Sequence, residues 1–232
     1  MNKLIIITGT SRGIGKNLAQ SYLDDGYIVV GCSRSKTSII HTNYLHYCID
    51  ASDEKSVINM VREIGRKFGK IDALINNVGT ASLNHILTTT AGSADNLYKT
   101  NFKSTFLFTK EVARIMAKAK SGSIINISSI AVPLNLEGEA IYASMKAAVE
   151  SFTKISAKEL GVFGIRVNRL GITPTKTNLI KTLPKAKIDS LLSRQIIPKM
   201  SEFSDIKSVI DFYIDDKNRL ITAQSLYLGG IN

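Results

Sequence analysis

A tyrosine and a lysine four positions apart, Tyr142 and Lys146, form the pattern in this sequence that is best suited to chemistry. The surrounding stretch, "EGEAIYASMKAAVE", is typical of a helix, on which residues four apart project from one face. A nearby cation favours the phenolate, so the spacing predicts that Lys146 lowers the pKa of Tyr142. Such a phenol could protonate the oxygen of a ketone while a hydride reaches its carbon. An ordinary helix with a half-buried tyrosine and a snorkelling lysine is the alternative.

A second hydroxyl group would be needed to hold and polarise the same oxygen. The letters "IINISS" place Ser128 and Ser129 just beyond a predicted strand, Ser123 to Ile127. Strand ends are where a sheet opens, although serines in such places are also common turn residues. Their position alone does not distinguish one serine from the other.

A glycine turn, "TGTSRGIG" from Thr8 to Gly15, lies between the first predicted strand and the first predicted helix. Gly9 permits a sharp turn, Gly13 lets the backbone approach a pyrophosphate, and Gly15 lets the helix pack closely on the sheet. The amino end of that helix then offers free N–H groups and a positive dipole to phosphates. The turn predicts a dinucleotide site, and a purely structural turn is the alternative.

The residues that follow the second predicted strand indicate which dinucleotide is preferred. A site for NAD usually places an acidic residue about 20 positions beyond the glycines. Here the window "GCSRSK", Gly31 to Lys36, contains no acid. Arg34, joined by Arg12 of the glycine turn, offers a guanidinium suited to a 2′-phosphate. We therefore expect NADP(H) rather than NAD(H), unless these arginines are merely solvated.

Strands alternate with helices along the whole chain, which predicts an α/β fold with a doubly wound parallel sheet of the Rossmann type. We expect a single domain over residues 1–232, with a short substrate lid at about 173–204. The predicted strands are Lys3 to Thr8, Tyr27 to Cys32, Tyr44 to Ile49, Ile71 to Ile75, Ser123 to Ile127, Ile165 to Leu170 and Ser225 to Leu228. The predicted helices are Ile14 to Asp25, Glu54 to Phe68, Asn96 to Ala119 and Ala140 to Leu160.

With these motifs in order, the chain resembles the short-chain dehydrogenase/reductase family over essentially its full length. "TGTSRGIG" resembles the family's cofactor turn, "NNVG" its N-N-A-G strand end, "INISS" its serine strand and "YASMK" its Y-x-x-x-K. Within the family, the chain is most similar to 3-oxoacyl-[acyl-carrier-protein] reductases. The family's serine stands thirteen positions before its tyrosine, which favours Ser129 over Ser128.

The resemblance implies a catalytic quartet. Tyr142 would be the general acid, Ser129 would hold the substrate oxygen, Lys146 would bind the nicotinamide ribose, and Asn101 would anchor a water that returns protons. The residues that it implies for cofactor binding are Gly9, Ser11, Arg12, Gly13, Ile14, Gly15, Ser33, Arg34, Asp50, Ala51, Asn77, Val78, Gly79, Tyr142, Lys146, Thr175 and Thr177. The family's long helices also imply a homotetramer or a homodimer.

The sequence departs from the family pattern in places that surround the site. Ile172 and Thr173 stand where the family usually has Pro-Gly, so the loop on the nicotinamide side is expected to differ. Val78 replaces the alanine of N-N-A-G, and "LYLGG" lacks the usual aspartate of V-D-G-G. None of these departures removes a member of the quartet.

Composition bounds the remaining possibilities. The chain is 44% hydrophobic and 21% charged, as expected of a globular protein, and contains no stretch that approaches a membrane span. Cys32 and Cys48 lack metal-ligand spacing and are expected to be buried free thiols, which favours the cytoplasm; no metal site is predicted. The net charge of +11 comes without a basic run or basic-aromatic interleaving, so nucleic-acid binding is not expected.

The leading hypothesis is an NADPH-dependent reductase of a ketone or a 3-oxoacyl thioester. Six basic residues and one acid between Lys176 and Lys199 would suit an acidic carrier protein or a coenzyme A thioester. The alternatives are an oxidoreductase acting on a small polar alcohol, sugar or ketone in a specialised biosynthetic pathway, and a non-catalytic protein that senses the cofactor.

Overall fold

The computed structural model describes residues 2–176 and 185–231, and of Lys187 the backbone alone. Across this part of the chain, the strands are β1 (Leu4–Thr8), β2 (Ile28–Ser33), β3 (Tyr44–Cys48), β4 (Ala73–Asn76), β5 (Gly122–Ser129), β6 (Ile165–Ile172) and β7 (Ser225–Tyr227). The α-helices are α1 (Gly13–Asp24), α2 (Glu54–Phe68), α3 (Ala91–Leu97), α4 (Ser104–Ala119), α5 (Ala131–Leu134), α6 (Ala140–Gly161), α7 (Lys185–Leu192) and α8 (Phe203–Ile214).

The strands form one parallel sheet in the order β3-β2-β1-β4-β5-β6-β7. This arrangement confirms the predicted doubly wound, Rossmann-type fold. The direction of winding reverses between β1 and β4, which are direct neighbours. In open sheets of this kind, a crevice forms at the carboxyl ends of the strands where the order reverses. The glycine turn after β1 and the "NNVG" segment after β4 both lie at that crevice.

Two hydrophobic layers enclose the sheet because successive strand residues point to opposite faces. Ile6 belongs to the layer that packs under α2, α4 and α6, together with Phe108 of α4. Ile5 and Ile7 belong to the layer under α1 and α8, together with Tyr22. All five side chains are fully buried. The near-continuous apolar strands of the sequence therefore reflect burial on both faces of the sheet.

The first long helix differs from its prediction. Instead of one helix from Asn96 to Ala119, α3 begins at Ala91 and is separated from α4 by a π-helical turn, Tyr98–Lys103. The Ser104 hydroxyl donates to the Thr100 carbonyl at 2.5 Å, and the Thr105 hydroxyl donates to the Asn101 carbonyl at 3.1 Å. Such side-chain bonds to the previous turn disturb regular helical geometry. The prediction of one uninterrupted helix is wrong.

A buried chain of polar side chains connects two strands to two helices. Asn76 of β4 donates through Nδ2 to Asn126 Oδ1 of β5 at 2.8 Å and to Thr109 Oγ1 of α4 at 3.0 Å. Asn126 in turn donates through Nδ2 to Thr153 Oγ1 of α6 at 2.9 Å. Buried amides are costly unless they are paired, so these bonds favour this alignment of the four elements, although Asn76 Oδ1 has no partner among the described residues.

The two cysteines have different surroundings. Cys32 in β2 is buried, as predicted, and burial raises the pKa of its thiol to about 12. Cys48 is exposed, so the prediction of a buried thiol is wrong for this residue. Cys48 ends β3, an edge strand, and edge strands are covered less completely than central ones. Within residues 2–176 and 185–231, no helix has the length and apolar character needed to cross a bilayer.

Candidate active site

Three elements bring the predicted quartet to the carboxyl edge of the sheet. Ser129 is the last residue of β5, and Tyr142 and Lys146 lie on successive turns of α6. Asn101 lies in the π-helical turn before α4. Helix α6 packs against β5, β6 and that turn, so the four residues converge from separate parts of the chain.

Tyr142 is half-buried, and its oxygen is hydrogen-bonded to the Ser129 hydroxyl. The Ser129 oxygen also accepts the backbone N–H of Ala131 at 3.1 Å, which fixes its direction. Burial raises the pKa of Tyr142 to about 12; the bond from Ser129 opposes that rise, and the negative charge of Glu139 adds to it. The expectation of a lowered pKa for Tyr142 is therefore wrong, because desolvation outweighs the stabilisation of the phenolate by Ser129. At neutral pH, Tyr142 is a neutral proton donor.

Lys146 is almost fully buried, and its ammonium donates to the Ile127 carbonyl at 2.8 Å. Burial lowers the pKa of Lys146 to about 8, against the opposing effect of the negative charge of Glu150. A Cβ added to Gly79 would lie 3.3 Å from Lys146 Nζ and 2.9 Å from Asn101 Oδ1. Lys146 and Asn101 therefore both reach the short loop that follows β4.

The Asn101 side chain fastens that loop to the π-helical turn. Its Nδ2 donates to the carbonyls of Thr80 at 3.0 Å and Leu97 at 3.1 Å, and its Oδ1 accepts the Thr80 N–H at 3.1 Å. Both amide hydrogens are thus used within the protein. π-Helical turns are frequent at functional sites, and here the turn directs a fully buried amide toward the crevice. The anchoring of a water by Asn101 stays a prediction.

The glycine turn has the geometry that close approach of a phosphate requires. Gly9 and Gly13 have φ values of 79° and 59°, which side chains rarely adopt. A Cβ on Gly15 would lie 2.3 Å from the Gly9 carbonyl oxygen, so only glycine fits where α1 meets the turn. The Thr8 hydroxyl accepts the N–H groups of Asn77 and Val78 at 2.9 and 3.0 Å, which joins the ends of β1 and β4. These residues fit a dinucleotide whose pyrophosphate rests at the start of α1.

The side chains expected near the adenosine half lie after β2 and β3. Arg34 is exposed, as is Arg12 at the start of α1. Ser33 is buried, and its hydroxyl donates to the Ser35 carbonyl at 2.7 Å, which shapes the loop that bears Arg34. Asp50 is exposed after β3, and its Oδ1 accepts the N–H and the hydroxyl of Ser52, each at 2.8 Å.

Ser11, Ile14 and Ala51 occupy the same edge of the sheet. Ser11 lies in the glycine turn and Ile14 in the first turn of α1, where both are partly exposed. Ala51 is buried beyond β3. These residues therefore share the carboxyl end of β1 to β3 with Arg34.

Two threonines, Thr175 and Thr177, are predicted on the nicotinamide side, and the structure describes the first of them. Thr175 is buried, and its hydroxyl is bonded to the Thr173 carbonyl at 3.0 Å and to the Ser201 hydroxyl at 2.7 Å. Its side chain therefore joins the segment after β6 to the residues just before α8. Thr177 lies outside the described residues. Thr173, at the altered Pro-Gly position, has a buried hydroxyl with no partner among the described residues.

Tyr44 and His46 support the loop that bears Arg34, and neither was among the predicted cofactor-binding residues. His46 Nε2 lies 3.1 Å from Ser33 Oγ and 3.0 Å from the Ser35 carbonyl oxygen, and His46 Nδ1 lies 2.9 Å from the Tyr44 hydroxyl. Tyr44 also donates to Thr10 Oγ1 at 2.9 Å. The alternation of "YLHYC" along a strand puts Tyr44 and His46 on one face, which was the available signal.

Comparison with known proteins agrees with the fold and with the motifs. The family described as short chain dehydrogenase matches residues 3–188. The 3-oxoacyl-[acyl-carrier-protein] reductase FabG of Staphylococcus epidermidis is 30% identical over 240 residues, which cover 99% of this chain and 98% of the relative. The FabG of Salmonella typhimurium is 27% identical over 234 residues, which cover 98% of this chain and 96% of the relative. The resemblance to these reductases is confirmed.

Solved structures show the same similarity. ElxO with NADP bound has a TM-score of 0.90 and 30% identity, with 98% of this chain and 97% of that chain covered. The 4-hydroxyisoleucine dehydrogenase complexed with NADH has a TM-score of 0.88 and 26% identity, with 99% and 98% covered. The chain therefore belongs to the short-chain dehydrogenase family and is an NAD(P)-dependent oxidoreductase.

Proposed function

We propose that the protein is an NADPH-dependent reductase that transfers a hydride to a ketone or a 3-oxoacyl thioester, with Tyr142 as the proton donor. The observation that carries this proposal is a neutral, half-buried phenol bonded to Ser129, one helical turn from the buried ammonium of Lys146. A bound nicotinamide would supply the hydride. Ser129 and Tyr142 would hold the carbonyl oxygen, and Tyr142 would protonate that oxygen as negative charge develops. Lys146 would bind the nicotinamide ribose.

The substrate is proposed to be apolar next to its carbonyl. Tyr142 packs against a small hydrophobic cluster formed by Ala131, Leu136 and Leu191. Leu83, in the loop beyond β4, is 41% exposed, and its Cδ1 would lie 3.1 Å from a Cβ on Gly138. An acyl chain gains free energy by covering such a surface, whereas the hydroxyl groups of a sugar would lose hydration there. This surface favours the acyl thioester over the small polar alcohol or sugar.

NADP(H) is the proposed cofactor. Arg34 and Arg12 are exposed at the end where the adenosine ribose would lie, and residues 31–36 contain no carboxylate to receive a 2′-hydroxyl. A guanidinium pair would form charge-assisted bonds to a 2′-phosphate. The NADP-bound structure of ElxO supports the same preference.

An acidic carrier protein or coenzyme A is the proposed bearer of the thioester. Ile196 and Ile197 are 62% and 58% exposed, between the exposed cations Arg194 and Lys199. This mixed apolar and basic surface suits an acidic helical partner. The curated relatives are named as reductases of 3-oxoacyl groups on acyl-carrier protein, which supports this proposal.

A homotetramer or homodimer is proposed, built on the helices that carry the quartet. Phe152 of α6 packs with Phe102 and Phe106 at centroid distances of 5.8 and 6.2 Å. Phe106 is 39% exposed, and Ile155, three residues beyond Phe152 on α6, is 54% exposed. A second copy would cover this apolar surface. The cytoplasm is the proposed location, where NADPH and acyl thioesters both occur.

Consumption of NADPH, followed by its absorbance, tests the proposal with acetoacetyl-coenzyme A, acetoacetyl carrier protein and simple ketones. We expect turnover with the thioesters and loss of turnover in Tyr142→Phe. With NADP+ in place of NADPH, the same absorbance follows the oxidation of sugars and small polar alcohols, and turnover of these compounds alone would favour the second enzyme hypothesis. Cofactor binding without turnover of any member of the panel would favour the cofactor sensor and overturn the proposal.

A further inference from the structure

A carboxylate is buried one helical turn beyond Lys146. Glu150 of α6 is 7% exposed, and glutamates are almost never buried this deeply unless they are paired. None of the motifs of the sequence includes this residue. Its partners come from three strands, β5, β6 and β7.

Both carboxylate oxygens of Glu150 have strong partners. Oε1 accepts the Ser128 hydroxyl at 2.6 Å and the Tyr227 hydroxyl at 2.7 Å. Oε2 lies 3.2 Å from an Nη2 of Arg169, which is itself buried, and the Arg169 Nη1 donates to the Glu150 carbonyl at 3.0 Å. Removing one partner of such a pair leaves a charge without compensation. The four side chains therefore act as one unit, which we call the Glu150 clamp.

The clamp fixes the strand that carries Ser129. Ser128 donates to Glu150, and the preceding residue, Ile127, receives the ammonium of Lys146 at 2.8 Å. Helix α6 thus holds two consecutive residues of β5 immediately before the strand presents Ser129 to Tyr142. A displacement of about 1 Å at such a point is enough to lower a rate by roughly two orders of magnitude.

The clamp also sets the charge around Lys146. Burial lowers the pKa of Lys146 to about 8, and the negative charge of Glu150 acts in the opposite direction. The titratable groups that face Glu150 within the described residues are Lys146 on α6, Arg169 on β6 and Tyr227 on β7. Tyr142 lies one turn from Lys146 on the other side. Glu150 is therefore the carboxylate placed to keep the lysine charged.

We propose that Glu150 is a positioning residue of this reductase, which holds Ser129 in line with Tyr142 and keeps Lys146 protonated at neutral pH. The proposal rests on the roles proposed above for Tyr142 and Lys146. It assigns to Glu150, one helical turn beyond Lys146, the control of the catalytic lysine. It also gives Tyr227 of "LYLGG" a function at the site.

The pH dependence of kcat for NADPH-driven reduction separates this role from a merely structural one. In E150Q, we expect the alkaline loss of activity to move to lower pH by roughly one unit, because an opposite charge nearby is worth about one to three pKa units. E150D retains the charge and should keep the wild-type position of the profile. S128A and Y227F each remove one hydrogen bond without removing charge, so we expect lower kcat with the profile unmoved.

E150Q leaves the buried Arg169 without its carboxylate partner. If this single variant does not fold, the double variant E150Q/R169Q replaces it in the same pH experiment. Its profile should move in the same direction, since Glu150 is the group that raises the pKa of Lys146. A wild-type profile in a folded E150Q or E150Q/R169Q protein would overturn the proposal. Full activity in Tyr142→Phe and Lys146→Ala would instead overturn the proposed function, so the two failures are distinguishable.

Discussion

Replacing Tyr142 by phenylalanine removes one oxygen from the centre of the site and little else. The ring can remain packed against Ala131, Leu136 and Leu191, so the fold and the cofactor crevice should be retained. Ser129 loses its hydrogen-bond partner but keeps the N–H of Ala131. The variant therefore isolates the proton transfer from packing.

The size of the effect follows from the acidity of the phenol. With a pKa of about 12, Tyr142 is a stronger acid than water, whose pKa is about 15.7, by roughly four units. If about half of this difference is expressed in the transition state, water substituting for Tyr142 would slow the reduction about 100-fold. Loss of the hydrogen bond to the developing oxyanion adds to this, so a decrease of about 10² to 10⁴ in kcat is expected.

The assay is steady-state reduction of acetoacetyl-coenzyme A by NADPH, with cofactor affinity measured separately from nicotinamide fluorescence. Tyr47→Phe is the matched control, since it removes a phenol oxygen from edge strand β3, away from the quartet. We expect the control to keep wild-type kcat and the Tyr142→Phe variant to bind NADPH within about twofold of wild type. Retention of more than about a tenth of kcat in Tyr142→Phe would refute the assignment of Tyr142 as general acid.

Three further substitutions test the cofactor site and the assembly. Arg34→Gln should raise the KM for NADPH by roughly 10-fold or more and leave that for NADH unchanged, because a charge-assisted bond to phosphate is worth about 1.5–3 kcal/mol; equal effects on both cofactors would contradict this. Gly15→Ala should abolish NADPH binding measured by fluorescence, since its Cβ meets the Gly9 carbonyl at 2.3 Å, whereas Gly161→Ala, with open space around it, should bind normally. Ile155→Glu should elute as a smaller species in size-exclusion chromatography and Ile40→Glu, 97% exposed elsewhere, should not; unchanged elution of Ile155→Glu would argue against assembly through α6.

The fold could be predicted from the sequence because its signals are local. Each strand is a short apolar run that ends in glycine or polar residues, and α2 was predicted with the bounds Glu54–Phe68 that the structure has. The Asp53 side chain accepts the Ser56 N–H at 3.0 Å at one end, and Gly69 ends the helix with a φ of 76°. Helix α8 was missed, although Glu202 and Asp205 form a capping box at its start. All but the first two of its twelve residues lie beyond the predicted lid, in a part of the chain for which no element was predicted.

The site could be predicted only in part. The positions of Ser129, Tyr142 and Lys146 followed from motifs, whereas their electrostatics depend on burial by residues distant in the chain. The pKa of Tyr142 is raised because burial, to which Ala131, Leu136 and Leu191 contribute, removes water from the phenol, and the spacing of residues in the sequence does not indicate that burial. Glu150 escaped notice for the same reason, since one of its partners, Tyr227, is 77 positions away.

The buried hydrogen bonds of the Asn76 and Asn126 side chains affect when the site is assembled. A one-residue slip of β4 against β5, or of either long helix against the sheet, would leave at least one of these amides without a partner, at a cost of about 1–3 kcal/mol each. Such shifted alignments therefore have a higher free energy than the native one. The fold itself therefore sets the alignment of α6, which carries Tyr142, with the π-helical turn that carries Asn101. NADPH would bind to catalytic side chains that are already in position.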